Sequence, residues 1–382
     1  MRLQSMISRL CEHHELAADD YQALLTTDDA ESMAFLHNEA QRVTENVFGR
    51  NVYIRGLLEI SNHCRNNCYY CGIRKGNSNL HRYRLSKSEI IDSCMIGYER
   101  GFRTFVLQGG EDPAQTTDWL VDVVTTLHSK FPDCAITLSL GERSYADYER
   151  LRLAGVERYL LRHETYDPIH YAQLHPEEMS RDRRLQCLQS LKSLGYQTGA
   201  GMMVGSPYQT VDNLVEDLLF IQQFIPEMIG IGPFIAHHDT PFHNFPNGSP
   251  LFTLRLISIL RLMHPHALIP ATTALATLLS DGHTRGIMAG ANVIMPNLTP
   301  AGVRNDYALY DHKAGYGAES VEGLDLLRAE LSKIDYTIKI GRGDYRPTRP
   351  SSPTSLSPSP SPVGKGYRSS IVRNSPSLLG RG

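Results

Sequence analysis

A regular alternation of apolar and amphipathic segments, beginning at Val52, constrains the fold of this chain more than any other feature. Short apolar runs of strand length are followed by amphipathic stretches of helical length, and the pair recurs eight times. The apolar runs are Ile54–Ile60, Thr104–Gln108, Ala135–Leu140, Arg158–Arg162, Thr198–Val204, Met228–Ile235, Leu268–Thr272 and Asn292–Met295. Eight strand–helix units over about 245 residues predict an α/β fold of the (β/α)8 TIM-barrel type.

The stretches between these runs have the length and the apolar periodicity of α-helices. They are Lys87–Arg100, Trp119–Lys130, Tyr145–Ala154, Arg181–Leu194, Val211–Gln223, Leu254–Met263 and Gly282–Ala289. A doubly wound open sheet is the alternative arrangement of such units. The barrel is favoured because there are eight units and because no dinucleotide-binding glycine fingerprint follows the first strand.

Composition divides the chain into three parts. Residues 1–50 are predicted to form a short helical segment, because Leu and Met recur at helical spacing between acidic breaks. Residues 51–345 are predicted to form the barrel. Residues 346–382 are rich in Ser and Pro and contain no Asp or Glu, so this tail is predicted to be disordered.

The overall charge excludes some classes of function. A formal net charge of −3 gives no basic footprint for nucleic acid or an acidic membrane, and no apolar run is long enough to cross a bilayer. The seven cysteines are odd in number and four of them lie alone, which predicts a reducing compartment. We expect a cytoplasmic protein; the weakly amphipathic start, Met1–Leu10, makes an organelle the alternative.

The remaining three cysteines, Cys64, Cys68 and Cys71, form a motif with the spacing C-x3-C-x2-C. No regular helix or strand points all three side chains at one place, so this segment must wrap around its ligand. Three close thiols hold an iron–sulfur cluster efficiently. A [4Fe–4S] cluster has four irons, and this motif leaves one of them free to bind a small molecule, which indicates an enzyme.

A structural zinc site is the alternative interpretation of these thiols. His63 or His81 would complete its four ligands. Zinc-binding cysteines usually come as spaced pairs, and this motif has a different arrangement. The sequence therefore favours an iron–sulfur cluster, with the three cysteines as its ligands.

Polar residues recur where the predicted strands end, which in a barrel is the face that carries the active site. The turn Gly109–Glu111 follows the second strand; its glycines allow close backbone approach, and its carboxylate can accept a hydrogen bond from an ammonium group. Glu164 follows the fourth strand, and Arg184 begins the apolar stripe of a later helix. A carboxylate and an arginine fork suit the amino and carboxylate groups of an amino-acid ligand.

Together these segments resemble the radical S-adenosylmethionine (SAM) enzymes, and among them the HydE family of [FeFe]-hydrogenase maturases. The cysteine motif, with Tyr70 before its last cysteine, and the run Val106–Pro113 are similar to a subgroup that also contains methylornithine synthase and, more distantly, biotin synthase. Segments specifically similar to HydE are Leu160–Thr165, Gly230–Ile235, His238–Phe242, Ile269–Ala274 and Asn292–Pro300. The resemblance covers roughly residues 1–345.

The resemblance implies an oxygen-sensitive barrel enzyme that holds one [4Fe–4S] cluster and SAM, and that cleaves SAM to a 5′-deoxyadenosyl radical. It implies a small organometallic substrate, an iron–carbonyl–cyanide–cysteine species used in assembly of the hydrogenase H-cluster. The implied partners are a one-electron reductant and, transiently, other hydrogenase maturases. Neither nucleic acid nor a membrane is among them.

By position, the resemblance also implies roles for single residues. The cluster ligands are Cys64, Cys68 and Cys71. The cofactor contacts are Tyr70, Gln108, Gly109, Gly110, Glu111, Glu164, Arg184 and Tyr307. The substrate contacts are Arg55, Thr137, Arg162, Thr272 and Thr273, of which Arg162, Thr272 and Thr273 are the candidate catalytic residues.

Three departures from the family pattern matter. Some HydE proteins bind a second cluster through cysteines near the C-terminal end of the barrel; here no cysteine follows Cys187, so a single cluster is predicted. The loop after the fifth strand usually reads Leu-Pro-Gly-Gln-Thr, and here Tyr208 replaces the glycine, which leaves the conformation of that turn open. Val303 stands where relatives often carry tyrosine, so part of the cofactor pocket is expected to differ.

Two further hypotheses about function stay open at this point. The first is a small-molecule radical SAM enzyme, such as a methylornithine synthase or a biotin synthase-like enzyme. The second is a non-catalytic iron–sulfur carrier, against which the polar turn Gly109–Glu111 and the residue Glu164 argue.

Overall fold

The computed structural model describes residues 2–347 of the chain. The chain up to Arg346 forms one compact unit. Almost all of the predicted Ser- and Pro-rich tail lies outside the described residues, so its disorder stays a prediction.

Parallel strands form the wall of the barrel. Six of them pair in succession, and each pair is parallel. They are β2 (Gly56–Ser61), β3 (Thr104–Gly109), β4 (Ala135–Ser139), β5 (Arg158–Leu160), β6 (Gln197–Ala200) and β8 (Met228–Ile229). Two short strands, β7 (Met203–Val204) and β9 (Gly232–Pro233), follow β6 and β8 and also pair in parallel.

Backbone bridges close the wall between β8 and β2. A further strand, β10 (Val293–Ile294), pairs in parallel with β1 (Asn51–Ile54), which precedes β2. The closing parallel bridges are Met228↔Leu268, Pro270↔Val293 and Leu57↔Asn297. The wall thus returns to its first strand, and the predicted (β/α)8 TIM barrel is confirmed.

The predicted strands Thr198–Val204 and Met228–Ile235 are each divided into two short strands, and three others also differ in detail from the structure. The run Leu268–Thr272 makes single bridges rather than a ladder, because Pro270 has no N–H to donate. The first run is interrupted at Arg55, which separates β1 from β2. Because β5 ends at Leu160, Arg162 follows its strand instead of lying within it. The expectation that Arg55 and Arg162 lie in strands was therefore wrong by one or two positions.

Three helices precede the barrel: α1 (Arg2–His13), α2 (Ala18–Thr26) and α3 (Ala30–Phe48). Polar contacts attach them to the barrel helices. The Arg255 guanidinium donates to the carbonyls of Leu25 and Thr27 at 2.6 and 2.9 Å, and the Tyr21 hydroxyl donates to the Gln222 side chain at 2.6 Å. Residues 1–50 are thus mainly helical and belong to the same compact unit as the barrel.

The described helices that surround the wall include the seven predicted ones, close to their predicted positions. They also include four short helices that were not predicted, Pro168–Leu174, Thr273–Leu278, Ala301–Arg304 and Leu324–Ser332. In chain order these helices are α4 (Lys87–Glu99), α5 (Thr117–Lys130), α6 (Tyr145–Leu153), α7 (Pro168–Leu174), α8 (Arg181–Ser193), α9 (Val211–Phe224), α10 (Pro250–Met263), α11 (Thr273–Leu278), α12 (Gly282–Met288), α13 (Ala301–Arg304) and α14 (Leu324–Ser332). Side-chain hydroxyl groups cap the N-terminal ends of several of these helices. Ser86, Ser144 and Thr210 each accept a hydrogen bond from the backbone N–H of the residue three positions later. In the described part of the chain, no helix has the length and apolar character to span a membrane.

Buried charges close the N-terminal end of the barrel. The strand β11 (Thr337–Lys339) pairs with β1, and the segment after it brings Asp344 against Arg158, the first residue of β5. Arg158 is fully buried and donates to the Asp344 carboxylate at 2.6 Å and to Thr104 Oγ1 at 3.0 Å. Burial opposes ionisation of Asp344, but hydrogen bonds from Arg342 and the charge of Arg158 outweigh it, so the Asp344 pKa falls to about 2.

Replacing Asp344 by Asn should destabilise the fold, because Arg158 would keep a buried charge without its counter-ion. A carboxyl pKa of about 2 in the fold, against 3.8 in the unfolded chain, corresponds to about 2 kcal/mol of stability. That contribution is complete above about pH 4 and is lost as the pH falls towards 2. We expect urea denaturation followed by circular dichroism to show a deficit of about 2–3 kcal/mol at pH 7 that shrinks below about pH 4.

Asp325→Asn is the matched control, because Asp325 forms an exposed ion pair with Arg328 on α14. Such surface pairs contribute little, so this variant should change stability by less than about 0.5 kcal/mol. Equal losses in the two variants would contradict the role assigned to Asp344.

Candidate active site at the cysteine loop

The loop after β2 carries the three cysteines and is held at the C-terminal face of the barrel by backbone contacts. Arg65 N–H donates to Glu111 O at 2.9 Å, and Gly72 N–H donates to Leu309 O at 2.8 Å. A side chain at Gly110 would lie 2.3 Å from the His63 carbonyl oxygen, so only glycine fits there. The glycines after β3 were expected to let the backbone approach the cofactor; at Gly110 the structure shows close approach to the cysteine loop itself.

Arg82 holds the cysteine loop in shape through hydrogen bonds to its backbone. Its guanidinium donates to four carbonyl oxygens of the loop, with distances of 2.7 to 3.0 Å for Ile73, Arg74 and Asn77. The fourth acceptor is the carbonyl of Asn62. A planar guanidinium with five donors is the side chain best suited to such a set of acceptors. The sequence analysis gave Arg82 no role, because its partners are backbone atoms that leave no pattern in the residue types.

The buried environment of the thiols opposes their ionisation when no cation is present. Burial raises the pKa of all three, that of Cys71 to about 12, and neighbouring thiols add to the effect for Cys68 and Cys71. A bound metal cluster supplies the positive charge that such thiolates need. Arg82 lies close enough to Cys64 and Cys71 for its charge to act on both.

The spacing of the sulfur atoms argues against a single zinc ion. Sulfur ligands around one tetrahedral zinc lie about 3.8 Å apart at a Zn–S distance of about 2.3 Å. Among residues 2–347, the group of three side chains whose ligand atoms lie within 4.8 Å of one another is His237, His238 and Asp239, and not the cysteines. His81 is exposed and pairs with Asp306 at 2.9 Å. The wider sulfur spacing fits a cluster that offers each thiolate its own iron.

Glu164 lies beside the thiols in a strained backbone conformation. Its φ is 67°, in the left-handed region that non-glycine residues rarely adopt. Arg162 Nε donates to Glu164 Oε1 at 3.1 Å, and Arg162 Nη2 forms an ion pair with the buried Oε2 at 3.1 Å. The Oε2 atom nevertheless accepts no hydrogen bond from any described residue. The carboxylate is near enough to Cys68 and Cys71 to influence both thiols. A buried carboxylate beside the cysteine loop, with one oxygen that accepts no hydrogen bond from the described residues, fits the ammonium group of SAM.

Two carboxylates lie together at the same mouth of the barrel. Glu111 accepts from the Glu142 N–H at 2.9 Å and pairs with Arg65 at 2.8 Å. Glu142 pairs with both Arg183 and Arg184, at 3.1 and 3.0 Å, and burial raises its pKa. Arg184 is buried and Arg183 is exposed, as the sequence predicted. Glu142 is a site residue that the sequence analysis missed.

The Tyr70 hydroxyl is occupied by a protein partner. It donates to His175 Nε2 at 3.2 Å, because His175 Nδ1 itself donates to the Tyr171 carbonyl at 2.9 Å. Burial, together with the charge of Arg184, lowers the pKa of His175 to about 3, so this imidazole is neutral. Any contact of Tyr70 with a cofactor therefore involves its ring or backbone rather than its hydroxyl.

Deeper in the barrel lie polar groups without partners. Arg55 is buried, and its Nε and Nη2 find no hydrogen-bond acceptor among the described residues; Nη1 points to Met228 Sδ at 3.2 Å. Burial lowers the Arg55 pKa well below its usual value. Thr137 Oγ1 is also buried without a partner. Nearer the mouth, Gln108 Nε2 donates to the Tyr307 hydroxyl at 3.5 Å.

A paired lysine and glutamate also line the interior, and the sequence analysis did not anticipate them. Glu59 is fully buried and accepts from Lys313 Nζ, from Asn297 Nδ2 at 3.0 Å and from Thr299 Oγ1 at 3.4 Å. Lys313 also donates to the Tyr307 carbonyl at 3.1 Å. This pair fixes the segment after α13 against the barrel mouth.

Two clefts open at this face. The larger, of about 400 Å³, is lined by residues that include Tyr307, Tyr310 and Lys313. The smaller, of about 230 Å³, lies beside the cysteine loop and is lined by Arg65, Asn66, Glu111, Glu142, Glu178, Met179, Ser180 and Arg183. Met179 Sδ lies 3.6 Å from Cys68 Sγ, so this cleft reaches the thiols.

The structure brings most of the predicted residues into two neighbouring sets. The set at the mouth comprises Cys64, Cys68, Tyr70, Cys71, Gly110, Glu111, Arg162, Glu164 and Arg184. Gln108 and Tyr307 contact each other beside it. Arg55 lies apart, near enough to Arg158 and Asp344 for their charges to act on it. Thr272 caps α11 without using its hydroxyl, which leaves that group free, and Thr273 follows it.

Comparison with known proteins agrees with this site. Residues 58–221 match the model of the radical SAM superfamily. The chain is 43% identical to the [FeFe] hydrogenase maturase subunit HydE of Thermotoga maritima over 302 residues, 79% of this chain and 86% of that protein. It is 29% identical to the 3-methylornithine synthase of Methanosarcina acetivorans over 79% of this chain and 85% of that enzyme. The crystal structure of methylornithine synthase (PylB) superposes with a TM-score of 0.75 at 25% identity and covers 87% of this chain and 97% of that one.

These comparisons fix the class of enzyme and its cofactors. Radical SAM enzymes use a [4Fe–4S] cluster and SAM, and the chemistry of the donor set described above fits both. The identity to HydE extends over most of both chains, beyond the part shared with the superfamily. This chain belongs to the HydE family of radical SAM enzymes.

Proposed function

We propose that this protein is a maturase of [FeFe]-hydrogenase that acts on an iron–carbonyl–cyanide–cysteine precursor during assembly of the H-cluster. The observation that carries the proposal is a cluster-binding loop beside a buried carboxylate, Glu164, at the mouth of a barrel whose interior holds an arginine, Arg55, with two nitrogens that make no hydrogen bond to the described residues. The identity to a HydE protein supports the choice of this substrate over others. Other maturases are its expected transient partners.

Residues at the mouth would hold the cofactors. Cys64, Cys68 and Cys71 would bind three irons of the cluster, and the fourth iron would be open to SAM. The Glu164 carboxylate would accept from the SAM ammonium, and Arg184, which Glu142 orients at 3.0 Å, would meet its carboxylate. When bound, the reduced cluster and SAM supply a 5′-deoxyadenosyl radical.

The residues of this chain would position the substrate and keep water away from it. Buried side chains and the Arg158–Asp344 pair close the barrel opposite the mouth. Arg162, half-buried below the cysteine loop, would lie between the cofactor and the substrate. The hydroxyl of Thr272, which makes no capping hydrogen bond to α11, and that of Thr273 would donate to the substrate.

Arg55 and Thr137 favour a substrate that carries negative charge. A buried arginine without a counter-ion is costly, and its unused N–H groups need acceptors. Cyanide and carboxylate groups offer such acceptors, and the Thr137 hydroxyl offers a further donor. The orphaned groups therefore fit a cyanide- and carboxylate-bearing ligand that reaches deep into the barrel.

Methylornithine synthase activity is the second candidate, and the relatives of that name favour it. Anaerobic incubation of the reconstituted protein with SAM, a reductant and lysine would test it. Formation of methylornithine would favour this candidate, and its absence together with hydrogenase activation would exclude it.

The maturase function has a direct test. A purified apo-[FeFe]-hydrogenase is incubated anaerobically with the partner maturases, and its hydrogen production is measured with and without this protein. We expect activation to require the protein. Equal activation in its absence would refute the proposal. Mass spectrometry of adenosyl products from the same mixture would show whether 5′-deoxyadenosine is released.

Glu164→Gln should weaken SAM binding without loss of the cluster. The change keeps the shape of the side chain and removes the charge that would pair with the ammonium group. We expect the Kd for SAM, measured by titration of the reconstituted enzyme, to rise about tenfold to hundredfold. Glu149→Gln, at an exposed position on α6, is the control and should leave the Kd unchanged. An unchanged Kd in both variants would remove Glu164 from the cofactor site.

Arg55→Met should separate stability from activity. Removal of a buried, unpaired guanidinium should stabilise the protein by about 1–4 kcal/mol, because a thioether of similar length needs no hydrogen bonds. The same change should abolish hydrogenase activation while SAM cleavage persists, since Arg55 lies far below the cysteine loop in the proposed substrate chamber. Urea denaturation and assays of both reactions measure the outcome. A stabilised variant with full activation would show that Arg55 does not bind substrate.

A further inference from the structure

A group of packed aromatic side chains, of which Tyr208 is the exposed member, extends from the cysteine loop to the surface of the protein. It consists of Tyr69, Tyr208, Phe242 and Phe245, which we call the aromatic patch. We propose that this patch, together with Arg74 and Lys75, is the docking surface for an acidic one-electron carrier protein that reduces the cluster. The inference rests on the proposed function, because it assumes that the cysteine loop holds a redox cluster.

The aromatic patch connects the cysteine loop to solvent through direct ring contacts. Tyr69, the neighbour of Cys68, packs edge-to-face on Phe242 with ring centroids 6.1 Å apart. Tyr208 contacts Phe242 at 6.1 Å and Phe245 at 5.2 Å. Of these rings Tyr208 is the most exposed, with 54% of its surface accessible. A row of packed rings, in which Phe242 is buried, thus connects the neighbour of Cys68 to an exposed aromatic side chain, a residue type enriched in interfaces.

The strained backbone conformation of Tyr208 indicates that its exposed ring does not serve the stability of the fold. Its φ is 66°, in the left-handed region where glycine is favoured and a tyrosine is strained. The backbone conformation of Tyr208 therefore destabilises the fold, and the exposed ring gains little from burial in return. Contact with a partner would account for both properties, because it would bury the ring that the turn holds outward.

The charge of the cysteine loop identifies the kind of partner. Residues 64–84 contain five Arg and Lys and no Asp or Glu, in a chain with a formal net charge of −3. Inside the structure, Arg65 pairs with Glu111, Arg84 pairs with Asp112, and Arg82 binds loop carbonyls.

Two cations of the loop are left without a carboxylate. Arg74 and Lys75 form no ion pair with any residue in the range 2–347, and Lys75 is exposed. The Arg74 guanidinium lies 5.9 Å from the centre of the Tyr69 ring, which joins the two charges to the aromatic patch. An acidic protein would complement them, and such complementarity mainly accelerates association.

The position of the thiols explains why the partner would carry an electron. Cys64, Cys68 and Cys71 are only partly buried, so part of the cysteine loop is reachable from solvent. Electron transfer weakens steeply with distance, so a donor must approach the cluster from outside. The aromatic patch is contiguous with the cysteine loop on that side.

The test measures reduction of the reconstituted cluster by stopped-flow absorbance under anaerobic conditions. The donor is a reduced flavodoxin of net negative charge, and dithionite, a small ion that needs no docking surface, is the reference. The variants are Arg74→Glu with Lys75→Glu, and Tyr208→Gly. The control is Lys130→Glu with Lys333→Glu, which changes the same number of exposed charges elsewhere.

We expect the double variant to lower the second-order rate constant with flavodoxin at least tenfold at low salt and to flatten its dependence on ionic strength. Tyr208→Gly should lower it several-fold although it relieves the strained φ, so loss of folding cannot explain the result. Dithionite should reduce all variants equally, and the control should match the wild type with both donors.

Rates with flavodoxin that are equal in the patch variants and the control would overturn the inference. Dissociation of a dimer by the patch variants, seen by sedimentation without a change in rate, would also overturn it, because the occupant would then be a second copy of this chain. Reduction of the cluster is measured in a mixture that contains no hydrogenase. Normal reduction by flavodoxin with no hydrogenase activation would therefore refute the proposed maturation while leaving the docking surface intact.

Discussion

The need to bring three thiols to one cluster shapes the whole face of this barrel. A helix or strand cannot aim Cys64, Cys68 and Cys71 at one point, so the chain leaves regular structure after β2 and its carbonyl groups lose their usual partners. Arg82 replaces those partners by donating to four of them. Gly110 lets β3 approach the same loop. The remaining site residues are positioned relative to this loop.

The buried charges of the barrel interior fall into two groups, those with a hydrogen-bonded counter-ion and one without. Glu59 with Lys313 and Arg158 with Asp344 are paired and hydrogen-bonded, which fixes the mouth and the opposite end. Arg55 has no such partner. A folded protein rarely keeps a buried polar group unsatisfied unless function requires it. This contrast distinguishes charges that hold the fold from the Arg55 guanidinium, two nitrogens of which make no hydrogen bond to the described residues and are available to a ligand.

Much of the fold followed from sequence because its signals are local. Apolar runs and amphipathic stretches gave the barrel, and hydroxyl caps such as Ser86 mark where helices begin. The cysteine spacing and the burial of Arg184 were also foreseeable. The roles of Arg82, Glu142 and Lys313 were not: Lys313 pairs with a glutamate 254 residues away, and Arg82 binds backbone atoms, so neither leaves a periodic or spaced pattern.

The sealed end formed by Arg158, Asp344 and β11 has a kinetic consequence. Because packed side chains occupy this end, a molecule that binds near Arg55 would enter and leave at the mouth, where the cysteine loop lies. SAM bound beside Glu164 would obstruct that passage, so the substrate would have to arrive first and the altered product would leave only after the nucleoside. Such a compulsory order protects a reactive intermediate from premature escape, and it makes departure from the mouth a natural candidate for the slow step of each turnover.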